Sequence, residues 1–111
     1  MNPPVALSLI ASFFSGLLEM DHIGVRTEDG KTVYIFKTTS IFPSLVEMKS
    51  KILSVLDAPV DIPEDIRVKE VKRGLLTKEY VVEIVVSRDT VGKLSNLIAK
   101  KYGLIRSRPY R

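Results

Sequence analysis

The sequence predicts an α+β fold: a helix and a β-hairpin, a second helix and a second hairpin, then a closing helix. Three observations predict it. The opening stretch, Pro4 to His22, is apolar on almost every side; two pairs of β-rich runs follow, each pair with turn residues between its members; and two later segments repeat apolar residues at three and four positions. The expected order is αββαββα, with an antiparallel or mixed sheet and the helices on one face. Residues 1–103 form one domain on this reading and 104–111 a basic tail.

The opening stretch carries Val5, Leu7, Leu9, Ile10, Phe13, Phe14, Leu17, Leu18 and Met20, with small Ser8, Ser12, Ser15 and Gly16 among them, and ends in Glu19 and Asp21. A helix apolar on nearly every side is not a surface helix. It asks for cover from its own domain on one side and from a second body on the other. Small residues at Ser12, Ser15 and Gly16 allow another helix to approach closely. Three plainer readings compete. A signal peptide needs a positive leading region, and residues 1–18 contain no Lys or Arg. A membrane span needs about twenty apolar residues, and this run is shorter and broken by serines. The third is an ordinary buried helix ending in two solvated acids.

The next runs, His22–Thr27 and Lys31–Thr38, flank Glu28-Asp29-Gly30, and Asp-Gly in that position is a hairpin signal. Alternation places Ile23, Val25, Val33 and Ile35 on the inner face and leaves Arg26 or Thr27, Tyr34, and Lys37 or Thr38 for the other. In the second helix Leu45, Met48, Ile52 and Val55 or Leu56 form the apolar face. Ser44 with Glu47 reads as a capping box, Ser40 is an alternative cap, and Pro43 stands near the start. Lys49, Ser50, Lys51 and Ser54 form its wet face. Residues 57–65 hold two prolines and four acids and connect to the second hairpin. That hairpin pairs Ile66–Arg73 with Tyr80–Val86, with Gly74 in or next to the turn. The third helix starts at Ser87 or Asp89, packs through Val91, Leu94, Leu97, Ile98 and Tyr102, and stops at Gly103. Lys100 and Lys101 suit the negative end of its dipole.

Length and composition narrow the functions. A chain of 111 residues can bury a core without staples, and the absence of Cys excludes disulfides and thiolate metal sites. It also fits an intracellular, cytoplasmic setting. The net charge of +4 is unevenly spread: residues 1–64 hold five basic and eight acidic side chains, and residues 65–111 twelve and five. The last twelve residues carry five positive charges and no carboxylate. Such segregation points to a polyanionic partner, nucleic acid or an acidic membrane surface, more than to a small neutral substrate; a plain solubilising tail is the alternative. One face of the third β-run offers Arg67, Lys69 and Arg73, which would suit phosphates if spread over a concave sheet.

The element order and residues 14–22, Phe-Ser-Gly-Leu-Leu-Glu-Met-Asp-His, together resemble the LAGLIDADG homing endonuclease family. Phe14, Ser15, Gly16, Leu17 and Leu18 stand where that motif has its apolar and small residues. Glu19 stands at its first acid, Asp21 at its second and His22 at its final glycine. The resemblance spans about Val5 to Tyr102, with motif character confined to nine residues. It implies a homodimer in which two copies of the motif helix pack about a twofold axis, here through Ser12, Phe13, Ser15, Gly16 and Leu17, with no membrane involved. It implies that the two sheets form a basic saddle over the DNA major groove, with Arg26, Lys37, Arg67, Lys69, Arg73 and Lys78 as the contacting cations. It also implies a divalent metal, usually Mg²⁺, held by Asp21 with Glu19 beside it, and phosphodiester hydrolysis assisted by Lys37 and by Arg106 or Arg108. His22 departs from the motif, because a glycine there permits the tight turn out of the helix. It could act as an extra ligand or base, or as a surface residue making hydrogen bonds.

Three functions are expected from these features. The first is a Mg²⁺-dependent, site-specific DNA endonuclease. The second is a DNA- or RNA-binding module on the same fold with its chemistry lost. The third is a ferredoxin-like protein–protein interaction domain whose first helix is covered by an unlike partner.

Overall fold

The structure is a computed structural model that describes residues 3–39, 44–56, 63–72 and 78–102, residues 3–6 and 72 by their backbone alone. Its elements are α1 (Pro3–Leu18), β1 (Asp21–Glu28), β2 (Lys31–Thr38), α2 (Leu45–Leu56), β3 (Asp65–Lys72), β4 (Lys78–Ser87) and α3 (Arg88–Lys101). The predicted order is therefore the observed one. The four strands form one antiparallel sheet in the order β1-β2-β4-β3, with β1 and β3 at its edges. Among the described residues no helix is long and apolar enough to cross a membrane.

All three helices lie on one face of the sheet. Ile10, Phe13 and Phe14 of α1, Met48 and Ile52 of α2, and Leu94 and Ile98 of α3 share a core with Tyr34, Phe36, Val82, Ile84 and Val86. Strand alternation assigns those five strand residues to the helix side and Val33, Ile35, Val81, Glu83 and Val85 to the other. This reverses the face expected for β2. Tyr34 and Phe36 join the helix-side core, while Val33 and Ile35 take the other face, where Val33 is nonetheless fully buried. The physical reason lies in size: the wide gap between helices and sheet takes aromatic rings, and Phe14 packs edge-on against both Tyr34 and Phe36, at centroid distances of 6.0 and 6.3 Å. The expectation for β1 fails differently. Its register slips between His22 and Gly24, leaving Ile23 as the unmatched residue of a bulge and 51% exposed. Val25 pairs with Tyr34 on the helix side but stays 39% exposed at the sheet edge.

The turns follow local chemistry. Asp29 and Gly30, with φ of 47° and 75°, form the two-residue hairpin turn that Asp-Gly favours. The Ser44 hydroxyl accepts the Glu47 backbone N–H at 3.3 Å, the expected cap of α2. Leu45, expected on the buried face, is instead 46% exposed, because it lies in the first turn, ahead of the Met48–Ile52 contact. At α3 the N-cap is Ser87, without a side-chain cap bond. Pro43, Gly74, Gly103 and the tail fall outside the described residues.

The end of α1 matters most for function. The helix stops at Leu18, and Glu19 adopts the left-handed conformation at φ 55°. The Met20 N–H then reaches back to the Ser15 carbonyl at 3.1 Å, the Ser15 hydroxyl donates to the Met20 carbonyl, and the Met20 side chain is buried. The chain thus turns at Glu19, not at His22, so a glycine at 22 is not needed for leaving the helix. A glutamate in this conformation costs about 1 kcal/mol relative to glycine. Glu19→Gly should raise the stability measured by urea unfolding by about that amount; a decrease would mean that the Glu19 side chain makes a compensating contact.

Candidate functional site

Because α1 hands directly over to β1 through this turn, Asp21 becomes the first residue of the strand and emerges at the foot of the helix. Its cross-strand partner is Lys37. The two residues expected to work together are therefore neighbours, Asp21 exposed and Lys37 half-buried. The Lys37 ammonium also lies 4.0 Å from a carboxylate oxygen of Glu79, which is 9% exposed. Glu19 is exposed on the turn itself. His22 is exposed too, and its ring rests on Phe36 at 5.3 Å between centroids, a tilted contact that anchors the imidazole on the helix side of β1. Among the described residues no group of three or more His, Cys, Asp or Glu could hold a metal ion. Arg106 and Arg108 lie outside them.

The outer side of α1 presents Ser8, Ser12 and Gly16, all exposed and spaced by four residues, hence stacked on one face. An open groove borders this stripe on each side. One, of about 320 Å³, runs between α1 and α3 over Leu9, Phe13, Leu17, Ile98 and Tyr102. The other, of about 510 Å³, runs between α1 and β1 past Leu7, Ala11, His22 and Val25. Ser12 and Gly16 line both. Of the residues expected at a dimer contact, Ser12 and Gly16 are exposed, Leu17 and Ser15 are half-buried, and Phe13 is 5% exposed. Ser15 serves the helix-ending turn. A Cβ on Gly16 would meet nothing within 4 Å among the described residues. The packing of the described residues thus gives no reason for a glycine that disfavours a helix by about 0.5–1 kcal/mol relative to alanine.

The helix-free face of the sheet is charged, but it is not simply basic. Arg26 bonds Glu83 at 2.9 Å and Glu28 at 3.0 Å. Arg67 bonds Glu28 at 2.8 Å and Glu83 at 3.4 Å and lies 3.5 Å from Asp65, while Lys69 sits 3.7 Å from Glu83. Lys31 pairs with Glu64. Lys78, expected with these cations, instead falls by alternation on the helix side of β4, because it lies an odd number of residues from Glu83 along the strand. Its ammonium there is 4.0 Å from Glu70. Each described cation expected to contact nucleic acid therefore has an acidic neighbour; Arg73 is outside the described residues. The charges shape one another. Hydrogen bonds from Arg67, then Arg26, hold the Glu28 carboxyl down at about 2, and the bond from Arg26 lowers that of Glu83. The guanidinium groups of Arg26 and Arg67 are correspondingly held in their charged form.

Glu28, Glu83 and Glu79 had no place in the sequence-based site. A signal for Glu83 was present, a single acid inside Tyr80-Val-Val-Glu-Ile-Val-Val86, since a carboxylate in an otherwise apolar strand implies a charged partner. No family model, curated protein or solved structure matches the chain.

The depressed Glu28 value gives a pH window. A carboxyl held below its usual 4.5 adds stability that is complete above that pH and is lost as pH falls towards about 2. The gap in melting temperature between wild type and Glu28→Gln should therefore narrow across that interval. A gap that stays constant would show that the pairs contribute nothing, as exposed ion pairs sometimes do.

Proposed function

We propose that the chain is a homodimeric nucleic-acid-binding protein of the LAGLIDADG homing-endonuclease kind, joined along the outer face of α1 and acting on double-stranded DNA. One observation carries this reading: the exposed small-residue face of α1 runs down to the turn that delivers Asp21 beside Lys37. Parallel pairing of two such faces about a twofold axis would bring two helix feet, and with them two Asp21 side chains, to one seam. Gly16 and Ser12 would then let the helix backbones approach closely, and the flanking grooves would receive the partner's larger side chains.

The metal expected for cleavage fits only such an assembly. One subunit's described residues offer too few donors, whereas Mg²⁺ commonly takes one or two carboxylates together with waters and substrate phosphate. When bound, Mg²⁺ activates water and offsets charge on the departing oxygen. Asp21 would hold it, Glu19 would add negative charge at the helix foot, and Lys37 would place an ammonium next to Asp21 where phosphate charge develops.

A second reading rests on the paired cations of the sheet face, which favour a module that binds without cutting, or an interaction domain with no nucleic acid. One experiment separates the three. Purified chain is incubated with Mg²⁺ and a plasmid library of randomised inserts, and cleavage and gel shift are scored. The endonuclease reading expects cutting by wild type and a shift without cutting by Asp21→Asn. A shift without cutting by wild type supports the binding module, and neither shift nor cutting supports the interaction domain.

A further inference from the structure

The helix-free face of the sheet holds an arrangement that nucleic-acid binding alone does not require. Glu83 stands in a central strand, its side chain 6% exposed, between Ile35 on β2 and Arg67 on β3. Three cations converge on it: Arg26 and Arg67 donate hydrogen bonds at 2.9 and 3.4 Å, and the Lys69 ammonium stands 3.7 Å away. Glu28, on edge strand β1, spans the sheet to Arg67 at 2.8 Å and also holds Arg26 at 3.0 Å. Two carboxylates thus occupy the forks of two guanidinium groups. A guanidinium fork that fits a carboxylate also fits a phosphate, through the same N–H groups. A nearly buried carboxylate carries a desolvation cost, so Glu83 is a poor choice if stability were its only role.

Resting on the reading of this face as a nucleic-acid surface, we propose that Glu28 and Glu83 act as built-in competitors for phosphate, holding Arg26, Arg67 and Lys69 back from indiscriminate binding to polyanions. Any DNA lying on this face must displace the carboxylates or stay clear of them. Phosphate contact alone, which carries no sequence information, is thereby weakened. A ligand that also offers hydrogen-bond donors to the carboxylates, as the cytosine amino group does in the major groove, is disfavoured less. The two glutamates would accordingly set the ratio of specific to non-specific affinity.

The test uses a random-sequence DNA duplex as probe. Its affinity is measured over a salt series for wild type, Glu28→Gln, Glu83→Gln and Glu47→Gln. The last removes the same charge from α2, away from the sheet face. Thermal melts confirm folding, and Glu28→Gln, whose side chain is 33% exposed, serves even if Glu83→Gln unfolds. The sheet variants should bind more tightly at low salt, and their plots of log K against log salt should steepen by about 0.9 for each phosphate a released cation takes up. Glu47→Gln should behave as wild type, and adding Arg67→Gln to Glu28→Gln should reverse the gain. Equal binding by wild type and sheet variants would overturn the inference and leave the nucleic-acid reading standing. Tighter binding by variants of a wild type that does not bind would uphold the competition and overturn that reading. No binding by any of them would overturn both.

Discussion

The structure depends on one aromatic contact. Phe14 of α1 is fully buried and meets Tyr34 and Phe36 edge-on, and these two rings stand one repeat apart on the central strand β2. Removing a buried ring of this kind costs about 3–5 kcal/mol. The contact also fixes how α1 is rotated. With Phe14 and Ile10 turned to the sheet, Ser8, Ser12 and Gly16 must face outward, and the helix must end beside β1. The position of Asp21 is a consequence of that rotation, completed by the Met20–Ser15 bonds of the turn.

The same core leaves an unbalanced detail. The Tyr34 hydroxyl is buried without a hydrogen-bond partner among the described residues, and burial raises its pKa. An unsatisfied hydroxyl of this kind costs about 1–3 kcal/mol. Burying the large apolar ring against Phe14 and the rest of the core, worth about 1.5–3 kcal/mol for a side chain of this size, is of the same order as that cost.

The order of elements was readable from the sequence because it rests on local signals: Asp-Gly between β-rich runs, Ser44 ahead of Glu47, and apolar spacing in α2 and α3. Faces and pairings were not, because they depend on partners distant in sequence. Alternation in β2 allows either face inward, and only the space beneath α1 decides for Tyr34 and Phe36. The exit from α1 looked like a matter for position 22, whereas the turn falls at Glu19, since Met20 gains more by burial than Glu19 loses in backbone strain. For the candidate site, the nearness of Asp21 and Lys37 could be anticipated from the hairpin. The neutralisation of Arg26 and Arg67 could not, because Glu83 lies 57 residues from Arg26 along the chain. Charge counted along a sequence gives a sum; the sheet distributes it into pairs.

The proposed dimer and its paired Asp21 side chains rest on the outer face of α1, where a glycine that no described neighbour requires sits between two open grooves. The most direct measurement is the solution mass of the chain by sedimentation equilibrium, alongside Gly16→Arg, which places a long charged side chain on that face. The account predicts twice the chain mass for wild type and a folded, single-chain mass for the variant. A wild type that stays monomeric at micromolar concentrations, or a variant that dimerises as well as wild type, would contradict it.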